Sequence, residues 1–270
     1  MAYAFDHDRY CTELARQAAL FEDALAAAGP AGLDRRVPTC PDWTLRDLTV
    51  HLGGAYRWFA EIVRTRATEI VPDEAVPGVA GPGGAAGPAE LREWFTEGAG
   101  LAVDELRAAG PDAHTWSWST EQNPAFWARR ATHETVVHRA DACLAAGVDF
   151  TVAPEIAADC VDEWLDILTT PAVRARMTSL RLLEPRAGAR LHLHATDVTA
   201  DPDPAEWLIE LTDEGVSWSR THAKAEVALR GPLADVLLVF YRRLPADSPR
   251  VEVLGDHELL DLWLEATSFG

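Results

Sequence analysis

From about Asp6 to Ala28 the apolar residues Leu14, Ala18, Phe21 and Leu25 return every three or four positions, and Gly29-Pro30 then interrupts the run. That period collects them on one face of a helix. A second helix is predicted from Thr44, an N-cap three residues before Asp47. Leu45, Leu48, Leu52, Ala55, Phe59 and Ile62 mark its buried stripe, and His51 falls on that stripe. The helical pattern returns from Glu90 to Ala108. It returns again behind Asn123-Pro124, a cap followed by proline at the first helical position, and runs to Gly147 as its stop. Four helices are expected in the first 150 residues.

Between the second and third helices, Val76 to Pro88 holds five Gly and three Pro in 13 residues. Such a stretch supports neither helix nor strand and is expected to be a mobile loop. Helical periodicity resumes on both sides, so it is placed within a bundle and not between domains. After Val148 the texture changes. One more helix, Pro154 to Thr169, precedes three segments of alternating character, Arg190 to Ala195, Glu206 to Leu211 and Ala225 to Arg230, which predict half-buried strands. Helices at Leu233 to Leu244 and Glu258 to Ser268 flank a short strand at Arg250 to Leu254. The chain is expected to be a two-domain α+β protein: a four-helix bundle over 1–150, and over 151–270 a small α+β domain with an antiparallel or mixed sheet.

At 270 residues each such domain can bury a core without disulfides or other staples. Charge narrows the partners. The 24 Lys+Arg against 43 Asp+Glu leave a formal charge of −19, a field that repels phosphate backbones and anionic headgroups. Neither nucleic acid nor membrane is expected as a partner. The longest apolar run, Val236 to Tyr241, falls far short of the ~20 residues of a membrane span. Met1 to Tyr10 carries Asp6, His7, Asp8 and Arg9 where a secretory signal needs an apolar core, so a cytoplasmic location is expected. Cys11, Cys40, Cys143 and Cys160 form no C-x-x-C pair and are expected to be buried or idle thiols.

The chemistry concentrates on the helix after Asn123, in the run His133-Glu-Thr-Val-Val-His138-Arg-Ala-Asp141. Glu134 and His138 stand at i,i+4 and so share a face, about 5–6 Å apart at Cβ. Trp127, Ala131, Ala142 and Ala145 lie on the same face, with Asp141 at its edge. A carboxylate and an imidazole on an apolar stripe are costly to bury unpaired. With His51 on the buried stripe of another helix they form a His, Glu, His set that suits zinc or a similar divalent ion and leaves coordination positions open. The commoner meaning of such a pair is mutual satisfaction or solvation, and His51 alone is equally a core histidine with a backbone partner. The spacing is not H-E-x-x-H, and His133 points roughly 100° from the ligand face.

Other signals are weaker. Gly53-Gly54 inside a helix costs about 1 kcal/mol per Gly against Ala, which predicts a close backbone approach or else a kink. Trp116, Trp118 and Trp127 are either pocket walls or core filling. His7, His114, His192, His194, His222 and His257 are taken as ordinary polar residues; His192-x-His194 would share one strand face. No G-x-S-x-G, P-loop or dinucleotide fingerprint occurs.

Two segments together, Val37-Pro-Thr-Cys-Pro-Asp-Trp-Thr-Leu-Arg-Asp-Leu-Thr-Val-His51 and His133 to Asp141, resemble the mycothiol-dependent maleylpyruvate isomerase family, whose N-terminal domain is a DinB-like four-helix bundle. Arg190-Leu-His-Leu-His-Ala-Thr-Asp197, Glu206-Trp207, Leu229-Arg-Gly-Pro232, Arg243-Leu-Pro-Ala-Asp247 and Gly255-Asp256 are similar to its smaller, sterol-carrier-like C-terminal domain. The resemblance spans nearly the whole chain. It implies a divalent metal, usually zinc, held by His51, Glu134 and His138, and an arginine of the C-terminal domain facing the site, best matched by Arg243. Arg242 stands where the family commonly places glycine, which leaves either arginine open for the role. The use of arginine for every basic residue except Lys224 agrees with an actinobacterial source, the group that makes mycothiol.

The expected function is therefore metal-dependent activation of the mycothiol thiol for attack on a small electrophile, with Arg243 or Arg242 holding a substrate carboxylate and Asp141 orienting a ligand from behind. Elimination from the adduct after bond rotation gives cis–trans isomerisation, and retention of the adduct gives S-transfer. Two other readings stand beside it: a metal-binding or small-ligand-binding protein without catalysis, and a metal-water hydrolase that needs no thiol.

Overall fold

The computed structural model describes residues 4–198 and 205–268. Its contacts divide the chain into two compact units, Met1–Phe150 and Thr151–Gly270.

Four long helices build the first unit: α1 (His7–Ala28), α2 (Leu45–Thr65), α3 (Pro88–Ala109) and α4 (Pro124–Ala146). Three of them start at a side chain that caps free backbone N–H groups, and α3 starts at Pro88, which has no N–H to cap. Asp6 and Asn123 accept from the backbone of Arg9 and Phe126, and Thr44 with Asp47 closes a full capping box on α2. α1 packs on α4 and α3, and α2 on α3 and α4. Tyr10, Leu14, Phe21, Leu52, Tyr56, Phe95, Phe126 and Trp127 fill the space between them. α4 is buried on nearly every side, Arg129, Arg130, Thr132 and Asp141 included, so any polar residue on it faces protein and must find a partner there.

Two features of this unit depart from the sequence reading. A small hairpin, β1 (Arg36–Val37) and β2 (Cys40–Thr44), precedes α2; strands this short leave no alternation to detect. The Gly/Pro-rich stretch has no regular helix or strand from 76 to 87, as expected, while Pro88 opens α3, and the loop is docked on the bundle. Val76 and Ala86 are buried, and Trp94 Nε1 donates to Gly78 O at 3.1 Å. The glycine pair of α2 makes this docking possible. A Cβ on Gly53 would stand 2.3 Å from Trp94 Cζ3, and one on Gly54 2.8 Å from Val79 O. Close approach, not a kink, is what Gly53-Gly54 provides.

The second unit begins with α5 (Pro154–Thr169) and the short α6 (Pro171–Arg176). Its sheet has the order β5-β4-β3-β6-β7, built from β3 (Arg190–Ala195), β4 (Glu206–Thr212), β5 (Gly215–Ser219), β6 (Val227–Gly231) and β7 (Glu252–Gly255). β3 and β6 run parallel and the other pairs antiparallel, so the sheet is mixed. Leu191, Leu193, Trp207, Ile209, Val227 and Leu229 form its buried face. α7 (Leu233–Phe240) packs on β3 and β6, and α8 (His257–Ala266) on β6.

α7 ends four residues earlier than the apolar pattern predicted. Arg243 N donates to Leu238 O and Arg242 N to Val239 O, with Arg242 at φ 62°, a Schellman stop whose left-handed position glycine ordinarily fills. The hairpin strand β5 was also not predicted, because its turn, Asp213-Glu214, carries the charge of a solvent-facing helix.

Candidate metal centre

The hydroxyl of Tyr56 and that of Thr135 are 2.9 Å apart in the buried interface of α2 and α4. This contact fixes the register of the two helices and sets His51, five residues before Tyr56, opposite Glu134. His51 Nε2 lies 3.4 Å and His138 Nε2 3.1 Å from Glu134 Oε1. The three donor atoms all fall within 4.8 Å of one another. Donors about 2.0–2.1 Å from a tetrahedral zinc stand roughly 3.3 Å apart, so the three donors suit such an ion in type and the two distances to Glu134 Oε1 suit it in separation.

The surroundings of each ligand differ. Asp141, fully buried, accepts from His138 Nδ1 at 2.9 Å and from the Thr39 hydroxyl in the turn of the β1–β2 hairpin. Because a carboxylate only accepts, Nδ1 carries the proton and Nε2 is the nitrogen turned to the centre. Arg130, one turn before Glu134, donates to Glu134 Oε2 at 3.0 Å and leaves Oε1 to the histidines. Trp43 of β2 packs its ring 4.7 Å from that of His51, and the two histidine rings meet edge to face at 4.9 Å.

Electrostatics follow from this crowding. Burial opposes the charged form of Glu134, but His138, His51 and Arg130 outweigh it and hold the carboxyl well below its ordinary value. Burial likewise opposes a charged His138, yet Glu134 and Asp141 push its pKa up to about 9. The site is thus a carboxylate clasped by an imidazolium, and a bound cation would take the place of that proton.

The structure brings His51, Glu134, His138 and Asp141 together. One expectation changes: His51 is not on the buried side of α2, its side chain being 39% exposed at the mouth of the site, with Glu134 at 24% and His138 at 10%. The apolar stripe of α2 passes beside His51 instead of through it. Arg130, Trp43 and Thr39 were missed. Arg130 is i,i+4 with Glu134 and was detectable on that ground, whereas Trp43 and Thr39 arrive through the hairpin. His133 is fully buried, packed edge to face on Tyr10 at 6.2 Å. Trp116, Trp118 and Trp127 join Trp58 in an aromatic cluster, and the indole N–H groups of Trp58 and Trp127 donate to Val71 O and Trp116 O. They fill core. All four cysteines are free thiols; burial pushes Cys11 up to about 11 and raises Cys143 as well. Neither supplies a thiolate at neutral pH.

Arg242 and Arg243 belong to the second unit. Arg243 is half-buried and donates from Nη1 to Tyr241 O at 2.7 Å, and Arg242 is exposed. Among the described residues, no helix is long and apolar enough to cross a membrane.

A helical unit carrying a candidate metal centre of two histidines and one glutamate, followed by a mixed-sheet unit, defines a two-domain α+β protein. The family described as mycothiol maleylpyruvate isomerase N-terminal domain matches residues 14–143, and the MDMPI C-terminal domain matches residues 155–262. The chain belongs to the mycothiol maleylpyruvate isomerase family, a family of enzymes. A crystal structure of the mycothiol-dependent maleylpyruvate isomerase aligns with a TM-score of 0.60 at 16% identity, over 94% of this chain and 95% of that one. A mutant of the same enzyme aligns at 0.59 with equal identity and coverage. At that identity the likeness shows the fold. No curated protein matches the chain significantly.

Proposed function

We propose that the protein is a mycothiol-dependent isomerase or S-transferase whose metal is held by His51, Glu134 and His138. The observation that carries this reading is the convergence of His51 Nε2, Glu134 Oε1 and His138 Nε2 within 4.8 Å. Zinc suits the donors, and three protein ligands leave a position for a cosubstrate. A divalent ion bound there lowers the pKa of a coordinated thiol, so that thiolate is present at neutral pH.

The chain's own groups prepare that chemistry. Asp141 holds the proton on His138 Nδ1 and keeps Nε2 directed at the centre. Arg130 neutralises part of the charge on Glu134 and fixes its orientation. Trp43 packs against His51, the most exposed ligand, and restricts its rotation. In this reading no cysteine of the chain takes part, in keeping with the buried, protonated Cys11. The electrophile is a small carboxylate such as maleylpyruvate, the substrate named for the structural relatives, and Arg243 or Arg242 grips its carboxylate bidentately. A thiol cosubstrate and free cysteines support a cytoplasmic location in this reading.

The test is turnover of maleylpyruvate by the zinc-loaded protein with and without mycothiol. Thiol-dependent turnover that His138→Ala abolishes, with helicity retained, supports the reading. Turnover without thiol points to a metal-water hydrolase, and ligand binding without turnover points to a binding protein. Arg243→Ala should slow carboxylate substrates; unchanged kinetics would move the role to Arg242.

A further inference from the structure

The second unit contains another convergence of imidazoles. His192 and His194, two apart on β3, share the sheet face opposite Leu191 and Leu193. The β3–β4 register sets Glu206 directly across from His194, on the same face. His222 comes from the loop after β5. Its position is fixed independently of the histidines, because Arg220 binds both carboxylate oxygens of Asp162 on α5, at 2.9 and 2.7 Å, and stacks over Trp207 at 4.5 Å.

Glu206 Oε2 is 3.0 Å from His192 Nε2, 3.2 Å from His194 Nδ1 and 2.5 Å from His222 Nδ1. All four donor atoms lie within 4.8 Å of one another, and the three rings stand 5.2–5.9 Å apart. Hydrogen bonding alone does not satisfy this cluster. His192 is only 6% exposed, and its Nε2, though close to Glu206, is not in hydrogen-bonding geometry with it or with any other described group. A buried ring nitrogen left without a hydrogen bond and aimed at three other ligand-type atoms loses stability unless something else pairs it.

We propose that His192, His194, Glu206 and His222 form a second metal site, for a divalent transition ion such as zinc, separate from the centre in the helical bundle. Three imidazoles and one carboxylate favour zinc, nickel or cobalt over magnesium and calcium, which take oxygen ligands. Four protein donors complete a tetrahedral shell, as in closed structural sites, whereas the three of the bundle leave one position open. The task of this site is therefore structural. It clamps the loop between β5 and β6 onto β3 and β4.

The experiment uses the full chain, stripped with chelator, desalted and titrated with zinc chloride by calorimetry, alongside thermal unfolding. The variants are His138→Ala, His222→Gln and the two combined. His222 is the choice because its side chain is 75% exposed, so its replacement spares the core. His138→Ala is expected to bind one zinc per chain, with a rise in unfolding temperature. Adding His222→Gln should weaken that binding at least about tenfold, since even groups that only orient ligands are worth ~10–100-fold, and should remove the rise. No zinc bound by His138→Ala, or binding that survives His222→Gln unchanged, would overturn the proposal. Zinc retained by His222→Gln alone reports on the bundle's centre, so either site can fail without the other.

Discussion

Replacing Asp141 with Asn separates the charge of that carboxylate from its shape. Asp141 is fully buried between His138 Nδ1 and the Thr39 hydroxyl. An amide fits the same volume, with its oxygen on His138 and its NH2 on a Thr39 hydroxyl that rotates to accept. The charge-assisted bonds to His138 and Thr39 become neutral ones. Exchanging one such bond costs about 1–2 kcal/mol. The measured worth of partners that orient metal-bound histidines, ~10–100-fold in affinity, corresponds to about 1.4–2.7 kcal/mol, the same range. Zinc titrated into stripped wild type and Asp141→Asn should therefore differ in Kd by ~10–100-fold, with circular dichroism unchanged. A metal-free control gives a second readout. His138 is raised above its ordinary 6.5 to about 9, so its contribution to stability is full below the unfolded value and is lost as pH rises through the folded one. Asp141→Asn should move the His138 titration downward and narrow that window. Equal zinc affinity in the two proteins, or an unmoved titration, would refute the role assigned to Asp141.

The fold makes further predictions. Gly53→Ala and Gly54→Ala each gain about 1 kcal/mol of helix propensity but force Trp94 or the Val79 carbonyl to move, an overpacking of about 1–3 kcal/mol. Both should lower the midpoint of urea unfolding, and an unchanged or higher midpoint would show that the docked loop yields freely. Arg242→Gly relieves a left-handed residue at about 1–2 kcal/mol but loosens the unfolded chain by roughly half that. It should raise the unfolding temperature slightly, by an amount worth up to about 1 kcal/mol, while a fall would mean that the Arg242 side chain makes a stabilising contact.

What the sequence revealed depended on how locally each feature is written. Glu134 and His138 are four residues apart on one helix, so periodicity alone paired them, and Asp141 followed at the next turn. The starts of α1, α2 and α4 were visible because their caps are single side chains adjacent to the helix. His51 was found by its place in a pattern, yet its exposure was not, since one residue's rotation about a helix axis decides between core and rim. Trp43 and Thr39 come through a hairpin of two- and five-residue strands, too short to show alternation. In the sequence His192, His194 and His222 pass as ordinary polar residues, His192 and His194 on one strand face, and nothing links Glu206 to them. Strand register and a loop held by Arg220 and Asp162 bring them together, and both are properties of tertiary structure.

The central claim is that the bundle's three donors hold an ion that takes the mycothiol thiol as a ligand. The most direct measurement is the near-ultraviolet spectrum of the cobalt-substituted protein as mycothiol is added, with His138→Ala as the control. A thiolate-to-cobalt charge-transfer band is expected that saturates at one mycothiol per chain and is missing in His138→Ala. A cobalt-loaded protein whose spectrum does not respond to mycothiol, or a band that persists in His138→Ala, would contradict the claim.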